Sequence, residues 1–230
     1  MRVLLEWYAV VMTQRVRSEN QGEAFYPLEP FVPEPRRFTV DDLSKLLDSG
    51  ILTEGERIEL IDGELIPMAA MHNPHIYAIT KLTRELFRVF PETAGVNVQL
   101  PLTVLDKTQP IPDFYVMRPD YNPRDFPTAT ACSLVLEISD STLRFDHKIK
   151  LPKYALSGIP EYWIIDLNSR RLEVYRDPSG DDYQEKTTLQ PGQTVRPLEF
   201  PEIEVRWDVA LMDRDSTDFE TSPEDSSGLT

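Results

Sequence analysis

Leu134-Val-Leu-Glu-Ile-Ser139 and Glu161-Tyr-Trp-Ile-Ile-Asp166 are the two most strand-like runs in this chain of 230 residues. Both are short, apolar and rich in β-branched or aromatic residues, which is typical of strands buried within a sheet. Between them, residues 145–157 have the pattern of a helix that Gly158 can end. Pro152 lies inside that segment, so we expect the helix either to kink or to begin near Lys150.

Further elements continue this pattern on both sides. Asp62-Gly63 separates strand-like residues 57–61 and 64–68, and it favours a tight hairpin because such turns need positive φ angles. Asn73-Pro74 provides an N-cap and a first helical residue for an amphipathic helix over residues 74–90. Its apolar stripe is expected to cover a sheet and consists of Ile76, Ile79, Leu82, Leu86, Phe87 and Phe90. The other predicted elements are a helix capped by Thr39 with Asp42 and ended by Gly50, strands over residues 96–105, 113–117, 162–167 and 171–176, and more β structure to about residue 205. The sequence therefore predicts an α+β protein with a mixed sheet flanked by helices.

The composition predicts one soluble globular domain with polar ends. With 40% hydrophobic residues the chain can bury a full core, and the single Cys132 excludes an internal disulfide and fits a reducing, cytoplasmic setting. We expect residues 1–37 to form a partly disordered N-terminal extension, with Met12 as an alternative start, and residues 211–230 to form an acidic disordered tail. The domain itself is expected over residues 38–210. The apolar run near the N-terminus is too short to span a membrane.

Two acidic side chains fall within the apolar strands. Because side chains alternate along a strand, Glu137 lies on the face opposite the two leucines of its own strand, and Asp113 shares a face with Tyr115. If the two strands are neighbours, the carboxylates meet, and at about 4 Å they repel by roughly 4 kcal/mol at an effective dielectric constant of about 20. A divalent cation relieves this repulsion. Mg²⁺, with Mn²⁺ as a substitute, prefers hard oxygen ligands, so Asp113, Glu137 and the carbonyl of Ile138 are a candidate partial shell.

A cationic side chain beside such a site would stabilise an attacking water and the charge that develops on a phosphate. Lys150 is the candidate, with Lys148 and Lys153 as substitutes. Asp146 precedes Lys150 by one helical turn and is expected to pair with it. Spacing alone favours a plainer interpretation, in which one acid caps a turn and the other pairs with a surface lysine.

The histidines and aromatic residues offer weaker signals. His72 and His75 form an H-x-x-H pair, but the chain has too few further ligands for a structural zinc site. His75, at a helix N-terminus, could instead touch a phosphate. Tyr162 and Trp163 are expected in the sheet core rather than on a base-stacking surface.

Several short motifs occur in order along the chain: Glu59-Leu-Ile-Asp-Gly-Glu-Leu65, His75, Pro112-Asp113, Glu137-Ile-Ser139, Asp146 with Lys150, Tyr154-Ala155, and Gly158-Ile-Pro-Glu-Tyr-Trp-Ile-Ile-Asp166. In this order and spacing they resemble the Uma-type restriction endonuclease family of the PD-(D/E)XK nuclease superfamily. The resemblance implies a restriction-endonuclease-like core of four mixed strands flanked by helices, and Mg²⁺-dependent cleavage of DNA.

The resemblance also assigns roles to individual residues. It implies that Asp113 and Glu137 are the metal-binding acids and that Glu59 is an additional acid. The lysine of the superfamily normally follows the second acid by two residues, where this chain has Ser139. In the Uma-type family the lysine comes from the following helix, which makes Lys150 the matching residue.

Together these observations predict a cytoplasmic Mg²⁺-dependent DNA endonuclease in which Asp113 and Glu137 bind the metal and Glu59 is a supporting metal ligand. Lys150 is expected to stabilise the attacking water. The net charge of −15 disfavours tight binding to nucleic acid, so DNA is expected to be held weakly and locally by a positive rim around the cleft. Cutting two strands favours a homodimer. The alternative is a catalytically weak or inactive nuclease fold that serves as a binding or regulatory module, and it explains the acidity better. The position of Lys150 relative to the acids discriminates between the two.

Overall fold

The computed structural model describes residues 35–53 and 55–212. Most of the predicted N-terminal extension (residues 1–34) and of the predicted acidic tail (residues 213–230) lies outside the described residues. In chain order the elements are α1 (Val40–Asp48), β1 (Ile58–Ile61), β2 (Glu64–Pro67), α2 (Asn73–Val89), β3 (Val96–Val98), β4 (Phe114–Met117), β5 (Cys132–Ser139), a helix α3 made of three consecutive segments (Leu143–Phe145, Asp146–Lys150 and Leu151–Leu156), β6 (Glu161–Asp166), β7 (Arg171–Ser179) and β8 (Asp182–Leu189). Short 3₁₀ turns cover Ala129–Ala131 and Trp207–Ala210.

The strands form one six-stranded sheet in the order β3-β4-β5-β6-β7-β8 and a separate hairpin, β1-β2. Within the large sheet, β5 and β6 run parallel and the other neighbouring pairs run antiparallel. Helix α3 connects the parallel pair, as a crossover between parallel strands requires. The predicted α+β fold with a mixed sheet is confirmed.

Each face of the sheet is covered by a different helix. Leu134, Leu136 and Ile138 of β5 pack with Ala78 and Leu82 of α2 on one face. On the other face, Val135 belongs to a cluster that includes residues of α3 and the tyrosines of β6 to β8. The alternation predicted for β5 is therefore confirmed, and it places Glu137 on the α3 side.

The β1-β2 hairpin closes as predicted, with Asp62 at φ 51° and Gly63 at φ 77°. A side chain at Gly63 would also collide with Arg37, because a Cβ atom there would lie 2.6 Å from the Arg37 Cβ. Leu60 exchanges two backbone hydrogen bonds with Gln109, at 2.7 and 3.2 Å. These bonds fix β1 beside the segment that leads into β4.

Helix α3 contains a π-helical turn over Asp146–Lys150, in which the Leu151 N–H donates to the carbonyl of Asp146, five residues earlier. Pro152 lies in the turn that follows. A proline has no N–H to donate and its ring crowds the carbonyl four residues before it, so a wider turn removes the conflict. The disturbance predicted at Pro152 is thus a π-turn, and it carries Lys150.

Three details of the sequence prediction are wrong. Helix α2 has His72 rather than Asn73 as its N-cap, without a side-chain capping bond. Ile76 and Phe87, assigned to its apolar stripe, are exposed, whereas Ala78 is fully buried. The strand predicted over residues 96–105 ends at Val98, because Gln99 adopts φ 50° and a proline follows at 101.

In the ranges 35–53 and 55–212, no helix has the length and apolar character needed to cross a membrane.

Candidate active site

A cleft of ≈ 680 Å³ opens between the β1-β2 hairpin, the N-terminus of α2 and the π-turn of α3. Asp113 and Glu137 lie at its base. The register of β4 and β5 pairs Phe114 with Leu136, so the residues just outward, Asp113 and Glu137, are neighbours. The Asp113 N–H points at Glu137 Oε2, 3.4 Å away. The condition set in the sequence analysis is met, since the two strands are neighbours and the two acids lie side by side.

Lys150 reaches the same place from the π-turn. Its Nζ lies 2.9 Å from Glu137 Oε1 and 2.9 Å from Glu59 Oε1, and the residue is only 6% exposed. Burial would lower the pKa of Lys150, but the carboxylates of Glu137 and Glu59 outweigh burial and raise it, so the ammonium stays charged. Tyr154, one turn further along α3, donates its hydroxyl to Glu137 Oε1 at 2.8 Å.

Glu59 comes from the hairpin, more than fifty residues before Asp113. Its Oε1 also accepts the N–H of Ile111 at 2.8 Å, on the segment that leads to Asp113. This bond and the backbone bonds of Leu60 explain why β1 delivers an acid to the sheet. All four predicted side chains, Glu59, Asp113, Glu137 and Lys150, are brought together, and their catalytic roles stay predictions.

Asp113 is surrounded by donors from three elements. Its Oδ2 accepts the N–H of Ile138 at 2.8 Å, and its Oδ1 lies 3.1 Å from His75 Nε2 and 3.2 Å from Gln99 Nε2. Burial lowers the pKa of His75, but the hydrogen bond and the charge of Asp113 outweigh burial and raise it. His75, which the sequence assigned to a phosphate contact, thus contacts an acid. No signal in the sequence pointed to Gln99.

The predicted pairing of Asp146 with Lys150 does not occur. Asp146 instead accepts hydrogen bonds from Ser139 and from Thr142, the latter at 2.8 Å. The π-turn explains the difference, because its wider winding no longer superimposes residues four apart. Ser139, at the position where a lysine is usual, therefore holds the start of the helix that supplies Lys150.

Neither substitute lysine, Lys148 or Lys153, forms an ion pair with Asp113 or Glu137. Lys153 pairs with Asp62 of the hairpin turn at 2.7 Å, so it ties α3 to the hairpin. Lys148 lines the cleft with Arg57 and Arg144. Within the described residues none of these three cleft cations forms an ion pair. Arg57, Arg144 and Lys148 therefore form a cationic rim around a cleft whose floor is acidic.

The floor of the cleft, formed by Glu59, Asp113, Glu137, Asp146 and Lys150, carries more negative than positive charge. Burial raises the pKa of Glu137, Lys150 opposes this, and the charges of Asp113, Asp146 and Glu59 raise it further, to about 8. One buried ammonium is thus shared among several buried carboxylates. A further cation at this place would stabilise the ionised form of Glu137.

The donor chemistry of the cleft fits a hard divalent cation. Across residues 35–53 and 55–212, no three His, Cys, Asp or Glu side chains are arranged to hold a metal ion by themselves. Mg²⁺ does not require three, because it keeps several waters and is commonly bound through one or two carboxylates. Asp113 and Glu137 supply such a pair. The backbone of Ile138 faces Asp113 through its N–H, and its carbonyl points to the same side of the strand.

A mixed sheet flanked by helices, with buried acids on adjacent strands at the base of a cleft, defines a restriction-endonuclease-like protein. The sequence profile of the Uma2 family, described as "Putative restriction endonuclease", matches residues 40–210. The chain belongs to this family, and the resemblance drawn from its motifs is confirmed.

A solved structure supports the same fold. A protein from Anabaena variabilis, described as a putative nuclease belonging to DUF820, has a similar crystal structure with a TM-score of 0.59. The match covers 75% of this chain and 97% of that chain at 22% sequence identity, and at this identity it shows the fold alone. No curated protein sequence matches the chain.

Proposed function

We propose that this protein is a Mg²⁺-dependent endonuclease that hydrolyses phosphodiester bonds in DNA, with Mn²⁺ as a substitute ion. The observation that supports it most is the buried ammonium of Lys150, which pairs with both Glu59 and Glu137. Glu137 in turn lies beside Asp113 on the neighbouring strand. A lysine in solvent on the far side of α3 would have favoured a binding module. The family membership points in the same direction.

Each residue has a separate task in this proposal. Asp113 and Glu137 would hold the ion together with the carbonyl of Ile138, and Glu59 would support them by holding Lys150. The ion, when bound, would neutralise charge on the scissile phosphate and make water a better nucleophile. Lys150 would donate a hydrogen bond to the attacking water and stabilise the phosphate charge. Tyr154 would keep the carboxylate of Glu137 in its orientation.

DNA would be held by the rim rather than by the whole surface. The net charge of −15 repels a polyanion, whereas Arg57, Arg144 and Lys148 place cationic groups around the cleft. Binding of this kind is weak, local and sensitive to salt. The rim therefore reconciles a DNA substrate with an acidic chain.

The test is cleavage of supercoiled plasmid DNA over a Mg²⁺ titration, comparing wild type with Asp113→Ala. We expect Mg²⁺-dependent nicking that Asp113→Ala abolishes and that EDTA stops. Asp181→Ala is the matched control, because Asp181 lies exposed in the turn between β7 and β8. Equal nicking by wild type and Asp113→Ala would refute the assignment.

A second candidate function is a catalytically weak or inactive nuclease fold that binds a partner. The strongly acidic composition favours it, since binding to nucleic acid normally relies on a basic patch. Wild-type protein that binds DNA but never nicks it with Mg²⁺ or Mn²⁺ would support this second candidate.

Two further features belong to the proposal. Cutting both strands of a duplex is simplest with two copies related by a two-fold axis, so we propose a homodimer, which sedimentation velocity tests. Burial raises the pKa of the Cys132 thiol to about 12, so the thiol is unreactive, and a single inert thiol fits the cytoplasm.

A further inference from the structure

The carboxylate of Asp113 is held differently from that of Glu137. Glu137 is oriented by the ammonium of Lys150 and the hydroxyl of Tyr154, both from α3. Asp113 receives no Lys or Arg contact within the described residues. Its three side-chain hydrogen bonds come from His75 at the start of α2, Gln99 after β3, and the backbone of Ile138 in β5.

Gln99 makes its contact from an unfavourable backbone conformation. At φ 50° it occupies the left-handed region, which is unfavourable for a residue with a side chain. In that conformation its backbone N–H donates to the carbonyl of Asp113 at 3.1 Å, while its side-chain amide donates to the Asp113 carboxylate. One residue thus fixes both the backbone and the side chain of Asp113, and such strain concentrates at functional sites.

His75 completes the arrangement from the opposite side. Its side chain is 15% exposed, lines the cleft and places Nε2 3.1 Å from the same carboxylate oxygen that Gln99 contacts. Two donors from separate elements therefore converge on Oδ1, and the Ile138 N–H fixes Oδ2. The plane of the carboxylate has no freedom to turn.

We propose that His75 and Gln99 are positioning residues that fix the orientation of the Asp113 carboxylate at the proposed cation site. The inference rests on the proposed function, since it assigns them a role toward the ion proposed there. Groups that orient metal ligands in this way typically change metal affinity by about 10–100-fold when removed. A merely structural role predicts a change in stability without a change in affinity.

The test measures Mg²⁺ and Mn²⁺ binding by isothermal titration calorimetry, independently of cleavage. Gln99→Gly keeps the left-handed backbone at no steric cost and removes the amide. His75→Leu removes the other donor, while His75→Gln keeps an amide near the position of Nε2. We expect Gln99→Gly and His75→Leu to weaken binding about tenfold or more, and His75→Gln to restore most of it.

Melting temperatures without metal serve as the folding control, because only folded variants enter the comparison. If wild type binds Mg²⁺ and both donor-deleting variants bind it equally well, the positioning role is overturned while the proposed function stands. If wild type binds neither ion, the metal site and the positioning role fail together.

Discussion

Two buried glutamates on the same row of the sheet have opposite electrostatic environments. Glu137 on β5 and Glu173 on β7 both pair with Ile164 of β6, so they lie two strands apart on one face. They are 4% and 2% exposed, respectively. The π-turn of α3 lies above both of them and sends Lys150 to Glu137 and His147 to Glu173.

The two differ in how well their charge is balanced. Burial would raise the pKa of Glu173, but hydrogen bonds from Tyr175, Lys186 and His147 outweigh burial and hold it at about 2, and Arg171 adds a further ion pair at 2.9 Å. Burial raises the pKa of Glu137, and its single ammonium is shared with other acids. Burial is thus common to both, whereas an unbalanced charge at a cleft distinguishes the proposed active site from a structural ion cluster.

The largest expected effect is the loss of activity in Glu137→Gln. Removing the carboxylate should lower the rate of plasmid nicking by about 100-fold or more, which corresponds to about 2.7 kcal/mol of barrier. The melting temperature without metal, measured above about pH 8 where Glu137 is ionised, should stay the same or rise, because Glu59 still pairs with Lys150 and a poorly balanced buried charge is removed. Initial nicking rates and thermal melts check both parts. Activity within a fewfold of wild type would contradict the assignment.

Glu173→Gln should show the reverse pattern, a loss of stability. Arg171, Lys186 and His147 would lose their common carboxylate, so we expect a loss of about 2 kcal/mol in the free energy of unfolding. For a domain of this size that corresponds to about 4–8 °C in melting temperature. Glu185→Gln, exposed on β8, is the matched control. An unchanged melting temperature would show that the Glu173 cluster contributes nothing to stability.

The sequence predicted more of the sheet than of the cleft. Alternating apolar positions predicted which face of its own strand each of Glu137 and Asp113 occupies, since a period of two is a local property. That the two strands are neighbours was an assumption, which the structure bears out. Lys150 was preferred to Lys148 and Lys153 before the family resemblance matched it, but no local pattern separates the three lysines. In the structure the π-turn separates the three, sending one to the acids, one to the rim and one to the hairpin.

The remaining contacts depend on tertiary structure that a single sequence does not display. Gln99 reaches Asp113 only because its backbone turns left-handed where β3 ends. The Asp146–Lys150 pair was wrong for a related reason, since an α-helical spacing was assumed where a proline induces a π-turn. Both cases involve an irregular backbone next to the candidate site, where local rules are expected to fail.

Stability should depend on pH in opposite directions at the two glutamates. Between the ordinary pKa of a glutamate, 4.5, and about 8, Glu137 keeps a proton in the folded state that the unfolded chain has lost, so stability falls as the pH rises through this window. Glu173 contributes stability that is present above 4.5 and is lost as the pH falls toward about 2.

Urea unfolding in EDTA at about pH 5 and about pH 8 measures the Glu137 part, with Glu137→Gln as the reference. Wild type should lose more stability than the variant over this interval, and Mg²⁺ should reduce that loss because an ion favours the ionised carboxylate. Parallel pH profiles for the two proteins would argue against a raised pKa at Glu137.

The smallest expected effects concern the cationic rim. They test whether its unpaired cations account for the binding of DNA. Arg57→Ala, Arg144→Ala and Lys148→Ala each remove one cation that no described acid neutralises, so each should weaken DNA binding similarly for all sequences and lower the salt slope by about 1. Arg84→Ala, exposed on α2 away from the cleft, is the control. Fluorescence anisotropy over a salt series gives the slopes. Equal slopes for the rim variants and the control would mean that these cations do not contact phosphates, and DNA would then lose its support as the substrate of an otherwise acidic protein.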